Sequence, residues 1–294
     1  MKKIKLLFYF LGIILVVLSC KKENVQEPEY IYSFFVAGHT YGNTSNEPGF
    51  HPPFKDDFDS VRAYPHIEFG VLTGDVVHHG NEESWNIIDS EIAELKMPVY
   101  IVPGNHDVYD DYELFKHRYG DPKNNYKTYR YFLYHNDLII LLDGNLDNWN
   151  ITGDQMAVVK EALDTGKNKV DHVFVFIHQL IWWDDDNEFK NIVINWPPYI
   201  PDTTNYWGDL EPMFQNYSAP VYFFAGDLGI FENTTPYMYY KDDNVTYIAS
   251  GMGSEINDNY IVVTAHSGGK VDFDLIALQG DRHRFGNLED YVLP

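Results

Sequence analysis

Pro98-Val-Tyr-Ile-Val-Pro103 runs straight into Gly104-Asn105-His106-Asp107, and this stretch decides the fold. The run is apolar without alternation. Such a strand is buried on both faces, as central strands of a helix-covered sheet are. It stops at a glycine and is followed by three polar side chains able to bind a cation or move a proton. The same pattern recurs four times. Tyr30–Ala37 (YIYSFFVA) leads into Gly38-His39 and Ile67–Thr73 (IEFGVLT) into Gly74-Asp75. His172–Ile177 (HVFVFI) leads into His178, and Pro220–Ala225 (PVYFFA) into Gly226-Asp227.

Each run thus delivers a potential metal ligand: His39, Asp75, Asn105, His178 and Asp227. In open α/β sheets ligands bind outside the carboxyl ends of the strands, on loops a rigid scaffold holds in place. Glycine before four of the five lets the chain turn sharply and approach a ligand closely. Carboxylate, amide oxygen and imidazole form a hard-to-borderline donor set, suited to Mn, Fe, Zn or Mg. A bridging carboxylate can hold two cations roughly 3.5–4 Å apart, which clamp a phosphoryl group.

Helical patterns lie between the runs. Glu82–Leu95 follows Asn81 as a cap, with Trp85, Ile88, Ile92 and Leu95 at helical spacing. Asp110–Tyr119, Asp154–Leu163 and Asn205–Tyr217 read as further helices, the last broken or kinked at Pro212. Tyr129–Tyr134 and Leu138–Asp143 read as a hairpin around His135-Asn136-Asp137. Tyr237–Lys241, Val245–Ser250, Tyr260–Thr264 and Val271–Ala277 are strand-like, so a more antiparallel sheet is expected to close the chain. The order predicts an α/β fold: two packed β-sheets flanked by helices.

Gly74-Asp75 with Gly80, then Gly104-Asn105-His106-Asp107, then a strand ending in His178, resemble the calcineurin-like metallophosphoesterases. The resemblance spans Tyr30 to about Ala277, with Gly153-Asp154-Gln155 as a softer match. It implies a four-layer αββα sandwich and hydrolysis of phosphate mono- or diesters by a metal-bound hydroxide. It also implies that Asp75 bridges two metals while Asn105 and His178 bind the second. His106 would stabilise the transition state or protonate the leaving alcohol, and Asp107 would orient and support His106.

The chain departs from that family at both ends of the pocket. The family opens with Asp-x-His, where this chain has His39-Thr40-Tyr41. It closes with Gly-His-x-His, where this chain has Gly226-Asp227-Leu228-Gly229. Asp227 completes a ligand set for the second metal with Asp75, Asn105 and His178. The first keeps Asp75, with His39, Tyr41 or His78 as substitutes, and is expected to be weak, altered or empty. His39 and Asp227 also fit as buried hydrogen-bonding residues. Trp182-Trp183 reads as a pocket wall or as loop packing, as does Trp196-Pro197-Pro198-Tyr199. The altered motifs leave a rival: a binding lipoprotein that keeps the fold and has lost turnover. Hydrolysis of a different bond is a third reading.

Composition bounds the partners. Lys plus Arg is 21 against 44 Asp plus Glu, a formal charge of −23, which repels nucleic acid. The acidic runs Asp56–Asp57, Asp110–Asp111, Asp184–Asp186 and Asp242–Asp243 read mostly as solvated surface. Met1–Lys5 carries three lysines, and Leu6–Leu18 is apolar but too short to span a bilayer. Residues 1–19 therefore read as a secretory signal. Val17-Leu18-Ser19-Cys20 resembles the lipobox of bacterial lipoproteins, which implies cleavage before Cys20, its acylation, and a lipid bilayer as partner. An uncleaved anchor is the alternative. Residues 20–29 read as a tether and 30–294 as the domain. Cys20 is the one cysteine, so the domain has neither a disulfide nor a thiol nucleophile.

Overall fold

The computed structural model describes residues 30–43, 48–195, 204–253 and 256–294. The signal segment, tether, Cys20 and the Trp196–Tyr199 stretch lie outside these. The five sequence runs form β1 (Ile31–Ala37), β2 (Ile67–Thr73), β3 (Val99–Val102), β6 (His172–Phe176) and β7 (Val221–Ala225). The hairpin forms β4 (Arg130–Tyr134) and β5 (Asp137–Leu141). The closing strands are β8 (Tyr237–Asp242), β9 (Val245–Ser250), β10 (Asn259–His266) and β11 (Lys270–Ala277).

The strands make two mixed sheets, in the orders β11-β10-β1-β2-β3 and β4-β5-β6-β7-β9-β8. The expected closing sheet is corrected here. The β8–β9 pair extends the second sheet, with β9 parallel to β7, while β10–β11 returns to pair antiparallel with β1. Each pair is a local hairpin, but which free edge it joins depends on distant strands, and no local pattern encodes that.

Between the sheets lies an aromatic core. Phe34 stacks on Phe69 at 4.9 Å and meets Phe174 edge-on at 5.1 Å, while Phe176 stacks on Phe224 at 5.0 Å. Burying each such ring contributes about 1.5–3 kcal/mol. Helices cover the outer faces. Against the first sheet pack α1 (Pro52–Asp56), α2 (Phe58–Ala63) and α3 (Glu82–Leu95), through Phe54, Phe58, Trp85 and Ile88. Asn81 caps α3, its side chain accepting Ser84 N–H at 3.0 Å. Beyond β3 come α4 (Asn105–Tyr109) and α5 (Tyr112–Tyr119). Over the second sheet lie α6 (Gly153–Gly166) and α7 (Glu211–Gln215), the latter entered through a π-helical turn at Tyr206–Leu210. The result is the expected four-layer αββα sandwich.

Three helical expectations change. The helix expected over Asp110–Tyr119 starts two residues later, as α5 at Tyr112, because Asp111 is extended (φ −155°) and caps it by accepting Leu114 N–H at 2.9 Å; the separate α4 ends just before it at Tyr109. Asn205–Tyr217 is divided at Leu210, with Pro212 in the first turn of α7, where its missing N–H costs nothing. The helices α1 and α2 lie where the sequence showed only an acidic run. Asp57 between them accepts the Tyr260 hydroxyl at 2.7 Å and pairs with Arg282, so it is a tie to β10 rather than solvated surface.

Candidate metal centre

The strands β1, β2 and β3 of one sheet, and β6 and β7 of the other, deliver their carboxyl ends to one pole. There the two sheets nearly touch. A Cβ on Gly38 would sit 2.4 Å from the Gly226 Cα, and one on Gly226 would sit 2.2 Å from Thr73 O. Only glycine allows this approach, which brings His39, Asp75, His178 and Asp227 around one point. His39 and Asp75 themselves have left-handed backbones, each with φ 52°. For residues with a Cβ this costs about 1–2 kcal/mol each, a strain typical of functional sites.

One ligand atom each from Asp75, His178 and Asp227 lies within 4.8 Å of the other two, and all three residues are buried. His178 Nε2 stands 3.4 Å from Asp75 Oδ2 and 3.5 Å from Asp227 Oδ1. His39 Nε2 lies 3.8 Å from Asp75 Oδ2. A backbone carbonyl sets each imidazole. His178 Nδ1 donates to Thr73 O at 2.8 Å, and His39 Nδ1 to Met252 O at 2.7 Å. That fixes a proton on Nδ1 and aims Nε2 into the centre, where its lone pair, once free of a proton, can meet a cation, the usual outer support of a metal-binding histidine. His178 Nε2 and Asp227 Oδ2 are buried with no hydrogen-bond partner. Buried polar atoms are rarely left so. A cation between them would satisfy both, so the residues fit one. Above this floor opens a cleft of about 320 Å³, lined by His39, Tyr41, Asp75, Asn105, His106, Asn195, Asp227, Ile230 and Phe231. The structure therefore brings Asn105 and Asp227 to the same hollow.

The charges interlock. Burial alone would raise the Asp75 carboxyl, but the His178 imidazole beside it holds it well below the usual range. Burial would lower His178, yet Asp75 and Asp227 together carry it up to about 10. Asp227 is pushed up to about 7 by burial, against the pull of His178. Burial brings His39 down to about 4, so it is a neutral donor at pH 7. Without metal, protons hold the carboxylates together; a divalent cation can replace them.

His106 lines the cleft, its N–H donating to Asp75 Oδ1 at 3.1 Å. Its ring is held by Nδ1 donating to His78 O at 3.0 Å. The expected support from Asp107 is thus corrected. Asp107 Oδ1 accepts Val76 N–H at 2.8 Å and Val77 N–H at 3.0 Å, and Oδ2 accepts Gly104 N–H at 2.8 Å. Both residues lie on α4, where neighbours in sequence do not face each other. Asp107 instead ties the turn after Asp75 to the turn before Asn105.

Tyr41 lies between rings, 4.3 Å from His39, 5.2 Å from His106 and 5.3 Å from His78. Burial, with Asp75 and Asp227 nearby, pushes its phenol far above the ordinary value, so it lines the cleft as a neutral hydroxyl. His78 is also placed differently from expectation. Its ring stacks on His106 at 5.2 Å and lines a separate cavity of about 180 Å³, and its carbonyl is the group that serves the site. Trp182 is no pocket wall: it is fully buried against Phe223 and Tyr247.

Gly229, where a closing histidine would stand, has φ 111°, and a Cβ there would lie 2.8–2.9 Å from the N, C and O of Met252. The backbone here excludes a histidine. Asn195, Ile230 and Phe231 were not anticipated as cleft residues. They sit in irregular connections and carry no motif.

The family profile for calcineurin-like phosphoesterases matches residues 39–229, more than half of the chain. The chain belongs to the calcineurin-like phosphoesterases. A probable cyclic nucleotide phosphodiesterase of Rhodopseudomonas palustris is 35% identical over 54 residues, which are 18% of this chain and 20% of that protein. Purple acid phosphatase PPD1 from yellow lupin (Lupinus luteus) seeds shares the fold, with a TM-score of 0.61 and 13% identity over 86% of this chain and 52% of that one. The chain thus spans well under two thirds of the length of either relative, and Asp75, His178 and Asp227, all within the matched residues, form a possible ligand group for a metal ion.

Proposed function

We propose that the chain is a metal-dependent hydrolase of phosphate mono- or diesters acting outside the cytoplasm, tethered to a membrane through acylated Cys20. The observation that supports the catalytic part is the buried trio in which His178 Nε2 lies 3.4 Å from Asp75 Oδ2 and 3.5 Å from Asp227 Oδ1, with neither His178 Nε2 nor Asp227 Oδ2 satisfied by a hydrogen bond. Asp75, Asn105, His178 and Asp227 would hold the tighter cation, and Asp75 with His39 a weaker one. Bound cations supply charge that draws in a phosphoryl group and favours attack by water. The cleft residues supply the rest. His106, its Nδ1 held by His78 O, moves a proton from Nε2 to the departing alcohol oxygen. Tyr41 walls the site against water between the three imidazoles. Asp107 and the glycines keep the donors in register.

The test is hydrolysis of p-nitrophenyl phosphate and its bis-ester with Mn, Zn, Fe or Mg added. Turnover is expected, and His106→Ala should abolish it while leaving metal content intact. Bound metal with no turnover across a broad phosphoester panel would instead support a binding lipoprotein. For the tether, labelled palmitate should enter the wild-type protein and not Cys20→Ala; equal labelling of both would refute it.

A further inference from the structure

Beyond the metal donors, the cleft carries one feature the phosphoester chemistry does not use. Its wall at Ile230 and Phe231 is apolar, and Phe231 is 42% exposed. This wall is built in place. Asn195 N–H donates to Asp227 O at 3.1 Å, and Asn195 Oδ1 accepts Ile230 N–H at 2.9 Å. One residue therefore staples the apolar wall to the strand end that presents Asp227, its backbone N–H holding Asp227 and its side chain holding Ile230. Gly229 makes the turn between them, its left-handed backbone seated on Met252. A histidine at 229 would end this route; the glycine sends the chain on to place Phe231 at the cleft.

Charge points the same way. Among the described residues the cleft lining includes no Lys or Arg. A substrate whose alcohol portion carried further negative charge would find no counter-charge outside the metal floor. An exposed phenyl ring beside an isoleucine gains instead from burying apolar surface.

We propose that Ile230 and Phe231 form a subsite for the alcohol portion of the ester, and that this portion is uncharged and apolar. The proposal rests on the phosphoesterase reading. It makes Phe231 a specificity-determining residue, with Asn195 as the residue that positions it.

Non-hydrolysable phosphonates test it by titration calorimetry on the Mn-loaded protein. Phenylphosphonate, hexylphosphonate, methylphosphonate and 4-carboxyphenylphosphonate serve as probes. Phenyl or hexyl should bind about tenfold more tightly than methyl, from contact with the ring and the isoleucine. Phenyl alone would mark an aromatic alcohol, and hexyl alone or equally a flexible aliphatic one. The carboxylated probe should bind more weakly than phenylphosphonate. In Phe231→Ala the ratio of phenyl (or hexyl) to methyl affinity should fall to near one, and Phe231→Leu should restore most of the hexyl preference. Equal affinity for all four probes, or a preference that survives Phe231→Ala, overturns the subsite and leaves the phosphoesterase reading intact. Selective binding without any turnover of the matching esters sinks the hydrolase reading and leaves the subsite standing. Failure of every phosphonate to bind overturns both.

Discussion

Replacing Asp107 by alanine separates two roles for a residue beside the proton donor. If Asp107 supported His106, its loss would slow turnover and leave stability nearly unchanged. The structure assigns it to the backbone, where three buried N–H groups (Val76, Val77 and Gly104) donate to it at 2.8–3.0 Å. Alanine leaves all three without a partner. Each unsatisfied buried donor costs about 1–3 kcal/mol, and the three share one carboxylate, so the loss is about 3–6 kcal/mol. A domain has only about 5–15 kcal/mol in total. With a urea slope of about 3 kcal/mol/M, the unfolding midpoint should fall by about 1–2 M. The tied turns present Asp75 and Asn105, so metal content should fall with it. Urea unfolding followed by tryptophan fluorescence, with metal analysis of the same samples, is the assay. A variant that unfolds within about 1 kcal/mol of wild type, keeps its metal and loses a hundredfold in kcat would refute the backbone role.

Three further outcomes follow from the same geometry. Gly229→His, which writes back the family's closing histidine, should destabilise the protein by about 2–5 kcal/mol, from the left-handed backbone and the collision with Met252. It should gain no metal equivalent; wild-type stability with an extra equivalent bound would contradict this. In the metal-free protein His178 is held protonated up to about pH 10, and a ligating imidazole must be neutral. Metal binding at pH 7.5 should therefore release about one proton and tighten as pH rises, measured by calorimetry in buffers of different ionisation heat; a pH-independent affinity would count against it. At the opposite pole, buried Asp137 accepts the Tyr32 hydroxyl at 2.7 Å, His172 Nδ1–H at 2.8 Å and His172 N–H at 3.0 Å. Asp137→Ala should cost about 3–5 kcal/mol on urea unfolding while metal affinity stays at wild-type level, and a matching loss of metal would contradict the separation of the poles.

The sheet strands and the polar residues gathered at their ends were legible because each is a local signal. An apolar run that stops at glycine and a polar residue says where a strand ends and what it presents. Five parallel strand ends then share a pole whichever of the two sheets each joins. Asp107 was misread for the opposite reason. Adjacency in sequence to His106 suggested a partnership, but a helical turn points neighbours apart. Trp182 follows His178 by four residues and fitted either a wall of the site or packing; the chain turns it into the core beneath. The edge that β8–β9 joins, the helices around Asp57 and the Asn195–Ile230 staple all depend on contacts between segments far apart in sequence. The departure at Gly229 was visible as a missing histidine. Its physical content, a backbone that excludes one, needed the third dimension.

The most direct measurement is the anomalous X-ray signal from crystals soaked in Zn and phosphate. The account predicts a zinc peak about 2.0–2.2 Å from donor atoms of Asp75, Asn105, His178 and Asp227, with phosphate in the cleft beside His106. A peak elsewhere, or none at this pole in crystals that take up zinc, would contradict it.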